Sequence, residues 1–219
     1  MLRVILCDID GTLIDSNDAH ALAWVDALEQ VGKPFPFERI RPLIGMGGDK
    51  LLPALKIDPE SDVGKEAGDR ATRAFIETYL DSIRAFPRAR ELLERLVSKG
   101  YGVFAATSSN EKELSAILTR ADMSDVFQET TTASEIEESK PAPDVVQSAL
   151  ARAGCLPHEA VMLGDTPYDV RAARRGNVRC IAMRCGGWSD DELGGALEIH
   201  DDPAALLNEW DESILSRAA

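Results

Sequence analysis

The chain is short of basic residues relative to acidic ones. Its 219 residues include 24 Lys and Arg against 38 Asp and Glu, which gives a formal net charge of -14. A protein with this charge repels phosphate backbones and anionic membrane surfaces at long range. We therefore expect no nucleic-acid partner and no membrane partner.

The sequence also lacks paired cysteines and long apolar runs. Its four cysteines form no CxxC pair and lie in or beside apolar runs, a pattern typical of reduced, buried thiols. This pattern argues against disulfides and against a zinc site. No segment approaches the ~20 apolar residues that span a bilayer, and the N-terminus has no secretion signal, so we expect a cytoplasmic protein.

What the chain does have is 44% apolar content, enough for the core of one large domain or two modest ones. Short β-rich apolar runs stop at acidic, hydroxyl or glycine residues, and they cover residues 3–7, 102–106, 160–163 and 178–183. Helical patterns lie between these runs, at residues 89–100, 111–121, 141–154 and 168–176. This alternation predicts an α/β fold, with a Rossmann-like parallel sheet core and helices on both faces.

Residues 15–85 break the alternation, because they contain helical patterns and no convincing strand. They predict an inserted all-helical cap domain, called the cap segment below, between two parts of the catalytic core at residues 1–14 and 86–219. The insertion emerges at the carboxyl end of the first strand, where open α/β sheets bind ligands. The cap segment is therefore placed to act as a lid.

Polar side chains follow the ends of several predicted strands. Asp8 and Asp10 end the first strand in the stretch LCDIDGTLID, while Thr107 and Asp165 follow two later strands. A parallel sheet brings these positions to one rim, and Lys140 at the start of a helix is a further candidate. Two carboxylates this close repel each other unless a positive charge lies between them, which indicates a divalent cation such as Mg²⁺.

Four motifs in order make the chain similar to the haloacid dehalogenase-like superfamily of phosphohydrolases. They are DIDGTL at Asp8, the hydroxyl of AATSSN at Thr107, the lysine of SKPAPD at Lys140, and GDTPYD at Asp165. The resemblance covers nearly the whole chain. A helical insertion between the first and second motifs resembles members with the first type of cap.

The resemblance implies a mechanism for phosphate ester hydrolysis. Asp8 would attack phosphorus to form an aspartyl-phosphate, and Asp10 would protonate the leaving oxygen and later activate water. Mg²⁺ would be held by Asp8, the Asp10 main-chain carbonyl and Asp165. Thr107 and Lys140 would bind the phosphoryl oxygens, with backbone N–H groups of residues 9–11 adding to the phosphate cradle.

Other residues receive supporting roles. Ser108 or Ser109 could share the task of Thr107. Asp169, four residues after Asp165, could hold a metal-bound water or orient Lys140, with Gly164 beside it. His20 lies in an H-x-x-A-W pattern similar to that of sugar-phosphate phosphatases and phosphomutases of the family. Lys50, like Arg41 near the glycine-rich stretch IGMGGDK, is a candidate substrate contact.

Several of these residues have ordinary structural alternatives. The aspartates could cap helices or form turns, Thr107 could be the N-cap of the following helix, and Lys140 could be a solvated surface residue. Cys7 lies beside the candidate nucleophile, but strand alternation turns it to the opposite face, which favours packing over a redox role.

These observations favour a Mg²⁺-dependent phosphatase acting on a small phosphorylated metabolite, as a monomer or a homodimer. A phosphomutase of the β-phosphoglucomutase type is the main alternative, although the cap loop of such mutases typically carries an arginine that GMGGDKLL lacks. A haloacid dehalogenase is disfavoured because that branch looks to lack the second carboxylate of the first motif. A non-catalytic binding protein would be expected to have lost a motif, and the identity of the substrate stays open.

Overall fold

The computed structural model describes residues 1–217. The strands are β1 Val4–Cys7, β2 Ile14–Asp15, β3 Arg84–Ala85, β4 Gly102–Ala106, β5 Glu129–Thr131, β6 Ala160–Gly164, β7 Arg179–Met183 and β8 Glu198–His200. Six of them form one parallel sheet in the order β5-β4-β1-β6-β7-β8, and β2 and β3 form a separate antiparallel pair. The predicted parallel sheet is confirmed, with β1 among its central strands.

The sequence patterns missed β5 and β8, the two edge strands of this sheet. Each has three residues, and polar side chains in ETT and EIH interrupt any apolar run. Edge strands bury less surface than central ones, so they need no continuous apolar run and a hydrophobic pattern does not predict them.

The helices flank the sheet and fill the cap segment. They are α1 Asn17–Gln30, α2 Phe37–Ile40, α3 Gly48–Ala54, α4 Asp62–Ala74, α5 Ala89–Ser98, α6 Glu111–Arg120, α7 Asp144–Ala153, α8 Pro167–Arg175 and α9 Pro203–Asn208. The four predicted core helices correspond to α5 to α8. Gly154 ends α7 with a φ of 57°, a conformation that glycine adopts without steric cost.

Two apolar clusters cover the two faces of the sheet. Cys7 and Val103 point into the cluster that includes residues of α5, α6 and α9. Leu6 and Phe104, one position along the same strands, point into the cluster with α7 and α8. This alternation is the period of two expected of strands buried on both faces, and it places Cys7 in the packed interior.

The cap segment has an apolar cluster of its own, which includes Ala21, Leu28, Leu51 and Ala67. At its base, β2 and β3 pair with Ile14 opposite Ala85. These observations support the division at residues 14/15 and 85/86, which stays our proposal for the domain boundaries. None of the helices in residues 1–217 has the length and apolar character needed to cross a bilayer.

Candidate active site

The candidate site lies at the carboxyl edge of the three central strands. Asp8 follows β1, and its N–H donates to the Leu163 carbonyl of β6 at 2.9 Å. Thr107 follows β4, and its N–H donates to the Thr131 carbonyl of β5 at 3.1 Å. Because Cys7 pairs with both Ala105 and Leu163, the residues just beyond these strands are neighbours.

Lys140 lies between two carboxylates in the interior. Its Nζ is 2.5 Å from Asp8 Oδ1 and 2.7 Å from Asp169 Oδ1, and the side chain is 1% exposed. Burial alone would lower the pKa of Lys140, but these carboxylates raise the pKa above its ordinary value. Lys140 is therefore a buried cation, not a solvated surface residue.

Asp165 is held by donors from the turn after β1 and from the first residue of α1. Thr12 Oγ1 donates to Asp165 Oδ1 at 2.8 Å, and Asn17 Nδ2 donates to Asp165 Oδ2 at 3.0 Å. The backbone of Gly186 and of Gly11 packs closely against Asp165. A Cβ on Gly186 would lie 1.8 Å from Asp165 Oδ2, and a Cβ on Gly11 would lie 2.3 Å from the same atom. Gly11 also has a φ of 80°. Both positions therefore require glycine.

Asp8, Asp165 and Asp169 form a group in which one carboxylate oxygen of each residue lies within 4.8 Å of those of the other two. Burial raises the pKa of Asp8 to about 7, with Lys140 opposing the rise and Asp169 supporting it. Burial, together with Asp8 and Asp169, also raises the pKa of Asp165 well above its ordinary value. Three buried carboxylates against one lysine leave an excess of negative charge, so the residues present fit a divalent cation.

Asp169 is already well bonded within this group. Its Oδ2 accepts hydrogen bonds from the Thr166 N–H at 3.0 Å and from the Thr166 hydroxyl at 2.7 Å, while its Oδ1 faces Lys140. Gly164 makes room for it, since a Cβ there would lie 2.4 Å from Asp169 Cβ. Asp8 and Asp165 are thus the carboxylates better placed to bind a cation, with Asp169 orienting Lys140.

Asp10 has a different environment, rich in donors. It accepts hydrogen bonds from Ser16 Oγ at 2.6 Å and from Ser109 Oγ at 2.7 Å, and His20 Nε2 lies 2.9 Å from its Oδ1. Burial works against its charge, but His20 and the two serines outweigh this and lower the pKa of Asp10 to about 2. The carboxylate is therefore fixed in orientation from both sides.

His20 reaches Asp10 from α1, so a residue of the cap segment contacts the core site. Its imidazole is buried and stacks on Phe75, with ring centroids 3.9 Å apart. Burial would lower the pKa of His20, but the Asp10 carboxylate raises the pKa above its ordinary value. Phe75 opens a widened helical turn, Phe75–Tyr79, that continues α4; such turns occur frequently at functional sites.

The hydroxyls after β4 face the same space. Thr107 is buried, and its Oγ1 accepts a hydrogen bond from the Ser109 N–H at 3.0 Å. Within residues 1–217, Ser108 Oγ is shielded from solvent and has no hydrogen-bond partner. The N-cap of α6 is Asn110, not Thr107, because Asn110 Oδ1 accepts from the Glu113 N–H at 3.0 Å.

One expected backbone donor is occupied. The Gly11 N–H donates to the Ile14 carbonyl at 2.7 Å, since the chain closes a tight turn after the first motif. In this structure Gly11 therefore offers no free N–H to a phosphate, and any backbone cradle would come from its neighbours.

A cavity of about 620 Å³ extends from this site into the cap segment. Asp8, Asp10, His20, Thr107 and Ser108 line it, together with Trp24 and the loop 44–49. The structure does not bring Lys50 to the cavity, because its Nζ pairs with Glu138 at 3.0 Å. Arg41 likewise lies elsewhere, bonded to Asp18 at 2.5 Å and to the Gly186 carbonyl at 2.9 Å.

Sequence reasoning gave no role to Thr12, Ser16 or Asn17, and named Ser109 only as a substitute for Thr107. All four donate to Asp10 or Asp165. The available signal was the clustering of hydroxyl and amide side chains directly after two strands that end in the candidate site, at residues 12–17 and 107–110.

Comparison with known proteins agrees with this geometry. The model of the haloacid dehalogenase-like hydrolase family matches residues 5–183. Phosphoglycolate phosphatase from Nitrosococcus oceani is 29% identical, covering 99% of this chain and 98% of that protein. Phosphoglycolate phosphatase from Nitrosospira multiformis is 30% identical, covering 82% and 83%. A hydrolase of known crystal structure from Pseudomonas syringae is 30% identical with a TM-score of 0.89, covering 96% and 98%.

Proposed function

The chain belongs to the haloacid dehalogenase-like hydrolase family, and from this premise we propose that it is a magnesium-dependent phosphatase that hydrolyses a small phosphorylated metabolite through an aspartyl-phosphate. One observation carries the proposal. Asp8, bonded to the buried Lys140, lines a cavity of about 620 Å³ together with Asp10, so a nucleophile and an acid-base group face one space.

Asp8 is the proposed nucleophile. Its carboxylate attacks the phosphorus atom, a bond forms between the carboxylate oxygen and phosphorus, and the bond from phosphorus to the alcohol oxygen breaks. Water then attacks the phosphorus atom of the aspartyl-phosphate, the bond from phosphorus to the Asp8 oxygen breaks, and inorganic phosphate leaves with the Asp8 carboxylate restored. Lys140 holds Asp8 in place at 2.5 Å, and we assign it a second task of attracting the phosphoryl oxygens.

Asp10 is the proposed proton carrier. Because the lowered pKa of Asp10 keeps its own carboxylate ionised, the proton that it passes to the departing alcohol oxygen in the first step comes from the protonated imidazole of His20. In the second step Asp10 takes a proton from the attacking water, which restores the starting state. Ser16, Ser109 and His20 fix the orientation of its carboxylate from three directions. Because these bonds fix its rotamer, the carboxylate loses little conformational entropy when it contacts the bridging oxygen.

Asp8, Asp165 and the main-chain carbonyl of Asp10 would hold Mg²⁺. When bound, the cation supplies positive charge that offsets the repulsion between the carboxylates and the phosphate. Thr107 and Ser108 would donate hydrogen bonds to the phosphoryl oxygens, and the unpartnered Ser108 hydroxyl supports this assignment.

The alternatives are less well supported by the site. A dehalogenase has no alcohol to protonate, whereas Asp10 is held at the cavity by three side chains. A non-catalytic binding protein would have no need for the buried, costly cluster of Asp8, Lys140 and Asp169. A phosphomutase shares the core residues, and the contact of His20 with Asp10 is compatible with it, so it stays the second candidate.

The direct test is phosphate release from a panel of small phosphate esters, with Mg²⁺ and with a chelator. We expect release that requires Mg²⁺ and disappears in Asp8→Asn. Release of phosphate in the presence of the chelator, or by Asp8→Asn at the wild-type rate, would contradict the proposal. Our expectations of a cytoplasmic protein, monomeric or homodimeric, with no nucleic-acid or membrane partner stay predictions.

A further inference from the structure

One wall of the cavity beyond the phosphate site is formed by α4. Gly64, Lys65, Gly68, Asp69 and Thr72 line the cavity, and their spacing places them along one side of this helix. A Cβ on Gly68 would meet nothing within 4 Å, so the space beside the helix is open. The substrate's leaving group would occupy this part of the cavity.

The charged side chains of this region are predominantly acidic. We call Asp49, Glu60, Lys65, Asp69 and Glu113 the outer wall; all five line the cavity. Four of them are carboxylates, and the single lysine is already paired, with Lys65 Nζ 3.2 Å from Glu60 Oε2. Among the cavity-lining residues of the part of the chain described, there is no arginine.

Nearby cations do little to offset the negative charge of the other carboxylates of the outer wall. Glu113 accepts from the Thr72 hydroxyl at 2.9 Å and from the Asn110 N–H at 3.2 Å, which are neutral donors. Asp49 accepts from the Ser139 N–H at 3.1 Å, and the nearest cation, Lys50, is 3.7 Å away and closer to Glu138. In residues 1–217, Asp69 has neither a hydrogen bond nor an ion pair through its carboxylate.

The cations of the inner site are committed as well. Lys140 is bonded to Asp8 and Asp169, and His20 is bonded to Asp10. Among residues 1–217, the side chains that line this cavity therefore include no uncommitted cation for a second anionic group, in a protein of net charge -14. Arg73 and Lys112 line a neighbouring pocket, which shares Asp69 and Thr72 with this cavity. A carboxylate normally requires an arginine or lysine in such a position.

We propose that the leaving group of the natural substrate carries no negative charge, so that the substrate is the phosphate ester of a neutral polyol or of an amino alcohol. This inference rests on the proposed phosphatase function and narrows it. Hydroxyl groups can bond to the outer-wall carboxylates as donors, and an ammonium group can pair with Asp69. The indole of Trp24, which also lines the cavity, offers an apolar or cation–π surface beside these carboxylates.

Under this proposal the chain would prefer a substrate other than phosphoglycolate, the compound in the names of its Nitrosococcus and Nitrosospira relatives. Phosphoglycolate carries a carboxylate on its leaving group, two carbons long. A like charge about 4 Å away in water disfavours binding by about 1 kcal/mol, which is about fivefold for each carboxylate met. Several carboxylates in the outer wall make the expected discrimination larger.

The test uses three esters of equal length: 2-phosphoglycolate with a carboxylate, 2-hydroxyethyl phosphate with a hydroxyl, and phosphoethanolamine with an ammonium group. We expect kcat/KM for the hydroxyl or ammonium ester to exceed that for 2-phosphoglycolate by at least about fivefold. The gap should narrow as salt is raised, because screening weakens the repulsion. A higher kcat/KM for 2-hydroxyethyl phosphate indicates a neutral leaving group, and a higher kcat/KM for phosphoethanolamine indicates a cationic one.

The matched variants are Asp69→Lys in the outer wall and Glu29→Lys, an exposed change of equal charge on α1 that does not line the cavity. Asp69→Lys should raise kcat/KM for 2-phosphoglycolate relative to the hydroxyl ester by about fivefold or more, and Glu29→Lys should leave the ratio unchanged. An equal response of both variants would mean that net charge, not the outer wall, sets the preference.

Failure of this inference is distinguishable from failure of the proposed function, because p-nitrophenyl phosphate reports the chemistry alone. A wild-type enzyme that hydrolyses p-nitrophenyl phosphate and prefers 2-phosphoglycolate overturns the inference and leaves the phosphatase proposal standing. An enzyme that releases phosphate from none of the four esters overturns both.

Discussion

Nε2 of His20 lies 2.9 Å from Oδ1 of Asp10, so a helix of the cap segment bonds directly to the candidate acid-base carboxylate of the core. The imidazole is fixed on its other side by stacking on Phe75. Any movement of α1 relative to the sheet would therefore change the orientation of Asp10. This contact makes His20 a positioning residue in our proposal, one that acts through Asp10.

We predict that His20→Phe lowers kcat by about 10- to 100-fold with little change in KM, because a hydrogen bond to a charged group of about 1.5–3 kcal/mol is lost while stacking on Phe75 is kept. His20→Gln retains a donor and should recover part of the loss. His158→Gln, an exposed change, is the control. Equal kcat values for wild type and His20→Phe would mean that the contact of His20 with Asp10 joins the cap segment to the core without positioning Asp10 for catalysis.

We predict that Asp8→Asn is folded and inactive, yet more stable than wild type to heat in the presence of a chelator at neutral pH. An amide is a poor nucleophile, and it also removes one charge from a buried group in which three carboxylates face one lysine. Thermal unfolding and phosphate release measure the two effects. Asp15→Asn, an exposed change on β2, should alter neither.

We predict that Lys140→Met lowers the free energy of unfolding by about 3–5 kcal/mol, the usual effect of leaving buried charges unpaired. Asp8 and Asp169 then face each other, and the pKa of Asp8 rises further because the lysine that opposed the rise is gone. The folded state binds more protons than the unfolded state, so stability should increase as the pH falls. Urea unfolding at several pH values tests this, with Lys50→Met as a control at a partly exposed pair.

The fold and the inner site could largely be predicted from the sequence, for a physical reason. Central strands buried on both faces must be continuous apolar runs, and their carboxyl ends must converge in a parallel sheet. The positions of Asp8, Thr107 and Asp165 at one rim follow from these two facts alone. Lys140 is a candidate from its position at the start of a helix, but only the resemblance favours a site role for it, since nothing local in SKPAPD distinguishes a buried lysine from a solvated one.

The rest depended on packing that no pattern encodes. The contact of His20 with Asp10 requires the exact approach of α1 to the sheet, and the pairing of Lys50 with Glu138 requires two loops from distant parts of the chain. The short polar edge strands β5 and β8 give no periodic signal. The positions of cap side chains in particular depend on tertiary geometry, which is why no sequence pattern could place Lys50 beside Glu138 or point to Asp69.

We predict that Mg²⁺ raises the temperature of unfolding, and raises it more at about pH 8 than at about pH 5.5. With its pKa near 7, Asp8 is largely protonated at the lower pH and must lose its proton to bind the cation. In the chelated protein the raised pKa means that stability falls as pH increases towards and past 7. Calorimetry with and without Mg²⁺ measures both trends.

The matched variants for the metal prediction are Asp165→Asn and the exposed Asp211→Asn. Asp165→Asn should lose the stabilisation by Mg²⁺, and Asp211→Asn should keep it. A Mg²⁺ response that survives in Asp165→Asn would place the cation elsewhere. A response equal at the two pH values would show that the carboxylates are ionised throughout this range.

The phosphomutase alternative makes a demand that the cavity does not meet. A mutase must hold its phosphoenzyme and a bisphosphate together while the substrate turns over, which requires cations that bind the phosphate not being transferred. In the cap loop, Asp49 and Lys50 stand where such mutases typically carry an arginine, and Lys50 is paired with Glu138 outside the cavity. Among lining residues of the described chain, Lys65 is the single lysine, and it is bonded to Glu60.

We therefore predict net transfer of the phosphoryl group to water. The protein is incubated with β-glucose 1-phosphate and a trace of β-glucose 1,6-bisphosphate, and glucose 6-phosphate and free phosphate are measured in the same samples. Phosphate release should exceed isomer formation, because the aspartyl-phosphate meets water before a second phosphate can be held beside it. Isomer formation that outruns phosphate release would establish the mutase and remove the phosphatase proposal. Asp8→Asn, which lacks the nucleophile, should produce neither product and gives the background for both assays.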